Sequence, residues 1–484
     1  MSTNTAAKSA KPSRSKRSLT DGSIVGALVR LSIPIVLANI LQTAYQITDT
    51  FWVGRLSTEA VAAVTLCFPI NFLMIAIGGG LPIAGSVLIA QYKGRGEMRR
   101  MNHIAGQTLL VVLSISVVLS GLGYWASDPI IRMMTSDPTV IPDAVRFLQI
   151  TFIGFVFVFG FFVYQSLTRG LGVVQVPMLI VLLTVLLNFG LDPLFIFGWG
   201  RLPPMGVSGA AMATLCTQAL AAAIGFALLF SGQHGLRPRL ADFRPDLSLL
   251  NRIIRLGIPA SVEQSMRALA LTVMTFLVAT FGTVAIAAYG VGIRILTFVI
   301  IPAMGLAMAT STIVGQNIGA GKMERAERTN TVACILAFGL PTLAGCLLYI
   351  LAVPLSRLFV PDEPATIAES ARFIHIMSLT IGCIGFQNVI NGTLRGAGNT
   401  LAAMVLSIVA VWVIQFPLAY VLSKHTSLGI DGIWWAYPVS MVTSATISLL
   451  WFISGDWKRT KLVEEVELEE RVREEVRIDE GIPS

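Results

Sequence analysis

Ala90-Gln91-Tyr92-Lys93-Gly94-Arg95-Gly96 returns 225 residues later as Gly315-Gln316-Asn317-Ile318-Gly319-Ala320-Gly321. The same displacement carries Arg30-Leu31-Ser32-Ile33-Pro34 onto Arg255-Leu256-Gly257-Ile258-Pro259. Arg169-Gly170 matches Arg395-Gly396 at 226, and Gly206-Val207-Ser208-Gly209 matches Gly429-Ile430-Asp431-Gly432 at 223. Four matches in order, at a nearly constant offset, establish an internal repeat. Weak internal symmetry of this kind is a mark of transporter folds built from two related halves.

Long apolar runs separate these motifs. Of 484 residues, 54% are hydrophobic and only 13% charged, with a mean hydropathy of +0.75; a soluble domain carries about 25% charged residues. A hydrocarbon core of roughly 30 Å needs about 20 apolar residues, and only a helix satisfies their backbone polar groups there. The runs place spans at about 27–53, 60–90, 104–126, 145–168, 175–198, 207–230, 252–280, 284–315, 329–352, 371–394, 399–422 and 431–453. The expected fold is an all-α membrane protein, with twelve transmembrane helices in two six-helix bundles. Six spans return the chain to its starting side, so the halves are parallel repeats with a cleft between them. The expected units are a basic tail (1–26), an N-lobe (27–230), a linker (231–251), a C-lobe (252–453) and a charged tail (454–484).

Lysine and arginine set the orientation. Segments on the side of the N-terminus hold 25 of the 35, including Arg169 and Arg395; opposite segments hold 7, and Arg30, Arg267 and Arg294 fall within spans. This bias predicts an integral protein of the cell (inner) membrane with both termini cytoplasmic. The basic stretch Lys8 to Arg17 precedes an apolar run too long for a cleaved signal and lacking a small-residue cleavage site. The acidic stretch from Val463 to Arg477 has the spacing of a short amphipathic helix, with a solvated tail as the simpler reading. A net charge of +8 flanks spans and forms no basic face with aromatics, which argues against nucleic acid. All five cysteines lie in apolar segments, a placement that favours neither disulfides nor a metal.

Ionisable groups inside spans cost about 2.5–3.5 kcal/mol each and need a reason. Asp49 closes Gln42-Thr43-Ala44-Tyr45-Gln46-Ile47-Thr48-Asp49, and Asp192 closes Asn188-Phe189-Gly190-Leu191-Asp192. Asn188 and Asp192, four apart, share a helix face. Both carboxyls sit about 6–9 Å from the outer ends of their spans at 1.5 Å per residue, so they can meet. They could simply knit helices together, but the C-half has Met274, Ile414 and Leu418 at the corresponding positions. An ion site in one lobe accounts for that asymmetry. Glu263 and Arg267, four apart, read as a neutralising structural pair; Arg294 and His375 line a cleft or sit in the core. Pro34, Pro259 and Pro302 interrupt the helical ladder and permit bending.

Ile33-Pro34, Thr48-Asp49-Thr50, Gly54-Arg55-Leu56, Ala90-Gln91 through Gly96, Asn188 to Pro193 and Gly315-Gln316-Asn317 resemble the MATE (multidrug and toxic compound extrusion) family across the twelve spans, and its DinF-like branch most. That resemblance implies a cation-coupling site of Asp49, Asn188, Asp192 and Thr214, with Gln42, Tyr45, Glu263 and Arg267 as cavity-lining candidates. It implies an antiporter in which protons or sodium ions enter as a cationic or amphipathic drug leaves; sodium, if used, would sit at Asp49, Asn188 and Asp192. No cofactor and no enzyme activity are implied, and the chain has no P-loop for ATP. The expected partners are small-molecule drugs and membrane lipid, and the expected form is a monomer. The NorM-like branch relies on C-lobe acids, and here Glu263 and Arg267 depart from that pattern. An alternative within transport is a flippase for a lipid-linked sugar. An intramembrane protease lacks its His-Glu-x-x-His motif or a Ser/His pair.

Overall fold

Side chains at the water boundary set where the apolar runs begin to coil. In the computed structural model, which describes residues 18–200 and 203–459, the Ser23 hydroxyl accepts the Gly26 N–H at 3.2 Å and so starts α1 (Ile24–Val53). Ser57 likewise caps α2 (Thr58–Arg95), and Asp246 caps α7 (Leu247–Ala279). The basic residues 8–17, Arg201 and the acidic stretch 463–477 lie outside the described residues.

The remaining N-lobe helices are α3 (Met98–Met134), α4 (Ile141–Gly170), α5 (Gln175–Phe197) and α6 (Val207–Ser231). The C-lobe continues with α8 (Thr283–Gly319), α9 (Met323–Phe359), α10 (Pro364–Ser378), α11 (Ile381–Ala397), α12 (Thr400–Ile408), a π-helical segment Val409–Gln415, α13 (Phe416–Lys424) and α14 (Ile430–Ser454). Among the described residues, eleven helices are long and apolar enough to cross a membrane, with α12 to α13 counted as one. The pair α10 and α11, bent by 53°, makes a twelfth. Several helices outrun the expected spans, because they continue through the polar residues that flank the apolar runs. The linker is shorter than expected, as α7 begins at Leu247. It is pinned to α3, whose Gln107 amide donates to the carbonyls of Asp242 and Arg244 at 2.7 Å each.

The repeat is visible as geometry. Gly206 and Gly429, just before α6 and α14, have φ of +58° and +57°, where a side chain would be strained. The two copies also diverge. Straight α4 corresponds to the bent pair α10 and α11, and straight α5 to α12 and α13 with the π-helical segment between them.

The lobes meet along the half of their helices nearest the chain ends. α1 begins, and α8 and α14 end, at one face: Lys322 Nζ lies 2.7 Å from Asp21 Oδ1, and Lys458 pairs with Glu327. At this terminal face the repeated motif locks the lobes together. Gln91 of α2 donates to the Gly396 carbonyl at 3.0 Å, and its repeat mate Gln316 of α8 donates to the Gly170 carbonyl at 2.8 Å. Both acceptors are helix-end carbonyls without an intrahelical partner. A Cβ on Gly94 would lie 2.0 Å from the Gln316 carbonyl oxygen, and one on Gly319 would lie 1.9 Å from that of Gln91. Only glycine allows this approach, which is why the motif is Gln-x-x-Gly in both halves. The seam continues to mid-helix, where Gly80 meets Ser261 and Gly305 meets Val36.

Candidate functional site

In the N-lobe, three helices bring polar side chains to one place. Gln42, Tyr45 and Asp49 share a face of α1, Asn188 and Asp192 a face of α5, and Thr214 and Thr217 a face of α6. Asn188 and Asp192 are fully buried, at 0% exposure each. The Asn188 amide donates to Asp192 Oδ1 at 3.0 Å, and Thr214 Oγ1 donates to Asp49 Oδ2 at 3.3 Å. The carboxyls of Asp49 and Asp192 are near enough to interact electrostatically. All four expected coupling residues therefore converge. The Tyr45 hydroxyl is hydrogen-bonded to Thr217 Oγ1, a residue that sequence reasoning did not single out. Gln42 is half-buried on the same face of α1, two turns from Asp49. Pro34 is buried within α1, which runs through it unbroken.

Three oxygens of this cluster, Asp49 Oδ1, Asn188 Oδ1 and Asp192 Oδ2, are buried without a hydrogen-bond partner. Buried polar atoms are normally satisfied, so three orphans together call for an occupant. The donors are all hard oxygens, a set that suits a proton or a small hard cation. Sodium fits this donor set at Asp49, Asn188 and Asp192.

The same place in the C-lobe is filled. Met274, the counterpart of Asp49, is 2% exposed and packs with Tyr289, Phe373, Trp434 and Tyr437. Tyr437, the counterpart of Thr214, shares a hydrogen bond of 2.8 Å with Tyr289 through their hydroxyls. Phe373 and Trp434 have ring centroids 4.6 Å apart. A separate C-lobe cavity of about 760 Å³, lined by residues such as Cys334, Phe338, Phe386 and Leu449, has no charged side chain in its wall.

Glu263 and Arg267 do pair, at 3.1 Å, but they do not neutralise each other in isolation. Arg395, expected among the loop residues of the terminal face, turns its side chain inward to Glu263 Oε1 at 2.5 Å. Ser407 Oγ donates to the same oxygen at 2.7 Å. Arg169, like Arg395 expected among the loop residues of the terminal face, also points inward, to Ser166 Oγ at 2.9 Å and across the seam to the Met308 sulfur at 3.5 Å. The repeated Arg-Gly was legible; the direction of its side chains was not. Arg294 is exposed, and His375 bonds the Tyr349 carbonyl through Nε2 at 2.9 Å.

With this geometry established, comparison with known proteins places the chain. It is 29% identical over 434 residues to the probable multidrug resistance protein YoeA of Bacillus subtilis, covering 89% of this chain and 93% of that protein. Its fold matches a multidrug resistance MATE transporter solved in an outward-facing conformation, with a TM-score of 0.85 and 26% identity over 91% of this chain and 98% of that one. It also matches a MOP superfamily transporter from Pyrococcus furiosus whose binding pocket is described as reversed in polarity, with a TM-score of 0.83 and 27% identity over 90% and 96% of the chains. The sequence model of the MatE family matches residues 34–194 and 259–421. These segments begin at Pro34 and Pro259, the same 225-residue displacement that defines the repeat, and the chain belongs to the MatE family of membrane transporters.

Proposed function

We propose that the chain is an antiporter that exports cationic or amphipathic small molecules in exchange for protons or sodium ions, by alternating access. One observation carries this reading: two carboxyls and a carboxamide in the N-lobe present three unpartnered buried oxygens, while the C-lobe counterpart is packed with Met274 and aromatic rings. Two carboxyls side by side in a low-dielectric bundle do not both ionise readily. A shared proton or a bound sodium ion relieves them, so occupancy changes how α1, α5 and α6 pack. Pro34 has no N–H to contribute to the helical ladder, which lets α1 bend in response.

The positive bias of the loops supports a cytoplasmic terminal face. The Gln-x-x-Gly seam is then the closed inner gate, with substrate meeting the lobes from the outer side. The similarity to a transporter described as outward-facing supports the same assignment.

The test is efflux from proteoliposomes under separately imposed pH and sodium gradients. Asp49→Asn and Asp192→Asn are expected to abolish gradient-driven efflux while expression and insertion persist, since each removes a costly charge; Met274→Ala should keep its coupling. Full gradient-driven transport by either Asn variant would sink the assignment. A variant that fails to fold would return the pair to a structural role.

A second reading, a flippase for a lipid-linked sugar, gains from one observation: Arg169 and Arg395 join Arg267 in the interior. Faster loss of ethidium from expressing cells than from controls supports export, and altered lipid-linked sugar turnover without it supports the flippase.

A further inference from the structure

The charges along the inter-lobe seam do not balance. Glu263, fully buried, is the one carboxylate in hydrogen-bonded contact with the seam arginines among the described residues. Arg267 gives it one hydrogen bond and spends its others on Ser407 Oγ at 3.2 Å and Asn388 Oδ1 at 3.4 Å. Arg395 gives it a second, and keeps Nε buried and unpartnered. Arg169 has only a hydroxyl and a thioether against its guanidinium, and the charge acting on it is that of Arg395, another cation. Two guanidiniums thus share one carboxylate, and the third, that of Arg169, has none in hydrogen-bonded contact among the described residues. A purely structural ion pair is balanced, because uncompensated charge taken out of water is costly.

Position adds to composition. Arg169 and Arg395 are repeat mates on opposite lobes, and each precedes the glycine whose carbonyl accepts a seam hydrogen bond from Gln316 or Gln91. They therefore stand on either side of the pseudo-twofold axis. Arg267 and Arg395 keep 33% and 15% of their side-chain surface accessible, which leaves a way in. Planar guanidiniums bind carboxylate and phosphate through paired N–H donors.

We propose that Arg169 and Arg395 bind the oxyanion, a carboxylate or phosphate, of an amphipathic ligand, with Glu263 and Arg267 holding Arg395 in place. The transported class then includes zwitterions and anions beside cations. This rests on the export reading for its substrate, and the test separates the two.

Rhodamine 110 and rhodamine 123 share a dye core and differ in a free carboxylate against its methyl ester. Binding of each to the purified full-length chain in lipid-free detergent is expected to favour the free acid by about tenfold, one charge-assisted hydrogen bond's worth. Arg169→Gln and Arg395→Gln should each abolish that preference with ester binding within about twofold, while Arg169→Lys and Arg395→Lys retain part of it. Equal affinity of the wild-type chain for the two dyes, which needs no variant, overturns the proposal, as does a parallel loss of both dyes in the Gln variants. Acid selectivity in binding with no efflux of either dye from proteoliposomes would uphold the site and refute export. Anionic phospholipid that co-purifies with the wild type, competes with rhodamine 110 and is lost in Arg169→Gln would uphold the site with a lipid headgroup as the source of the oxyanion.

Discussion

Replacing Gln316 by Leu removes a donor from the gate at nearly constant volume. In the closed state the Gly170 carbonyl then lies buried with no donor; in the open state it reaches water. The penalty falls on the closed state alone, at about 1.5 kcal/mol for one neutral hydrogen bond and its stranded acceptor, or roughly tenfold in the closed-to-open ratio. Gln91→Leu removes the equivalent bond to Gly396, but the Gln91 side-chain oxygen is itself buried without a partner. Its loss relieves one orphan and offsets part of the cost, so the shift should be about half as large in free energy. Spin labels at Arg99→Cys and Arg328→Cys, in a background lacking the native cysteines, read the separation of the lobes by double electron–electron resonance. The expected order of open population is Gln316→Leu, then Gln91→Leu, then wild type. An unchanged distance distribution in Gln316→Leu, or a larger shift in Gln91→Leu, would refute the reasoning.

Adjacent glycines of α2 give a sharper contrast. A Cβ on Gly80 would lie 2.1 Å from the Ser261 backbone nitrogen, while one on Gly79 meets nothing within 4 Å. Gly80→Ala should therefore hold the seam open in the same resonance measurement and stop efflux, and Gly79→Ala should do neither. Glu263→Gln strands Arg267 and Arg395 together and should lower stability by about 3 kcal/mol, read as an earlier thermal unfolding transition. Maleimide labelling of single cysteines at Arg132 and Arg328, both exposed, should mark the outer and cytoplasmic faces respectively, and the reverse pattern would end the orientation.

Much of the fold was legible because the membrane imposes it. A chain that must satisfy every backbone group inside hydrocarbon has few options, so the spans and the two-lobe repeat could be read from apolar runs and a 225-residue offset. The N-lobe cluster was legible for the same reason: Asp49, Asn188 and Asp192 were polar where polarity is costly. The other half of the polar architecture was hidden. Arg169 and Arg395 sit next to helix-end glycines, and no one-dimensional rule says whether such a side chain reaches water or folds back under its own helix. Gln91 and Gln316 were visible as a repeat, but their acceptors lie in the opposite lobe, at sequence separations of 305 and 146 residues. The bend between α10 and α11 carries no proline at the break. It follows from the close approach of Gly382 and Gly385 to α9, where a Cβ would come within 2.2 Å and 1.9 Å of its atoms.

The packed ring of Met274, Tyr289, Trp434 and Tyr437 has a thermodynamic consequence. A machine with two ion-accepting lobes could draw on two ions per turnover at separate places; under the proposed antiport, the one paired-carboxyl pocket among the described residues would set the stoichiometry. For one monovalent cation per cycle, a membrane potential of 100 mV supplies about 2.3 kcal/mol. That sustains at most about a 50-fold concentration ratio of an uncharged passenger, with any further ratio drawn from the ion's own gradient. A passenger bearing one positive charge outward spends that electrical term and must be driven by the ion gradient alone. A zwitterion does not, so the net charge of the cargo decides whether voltage or ion concentration does the lifting.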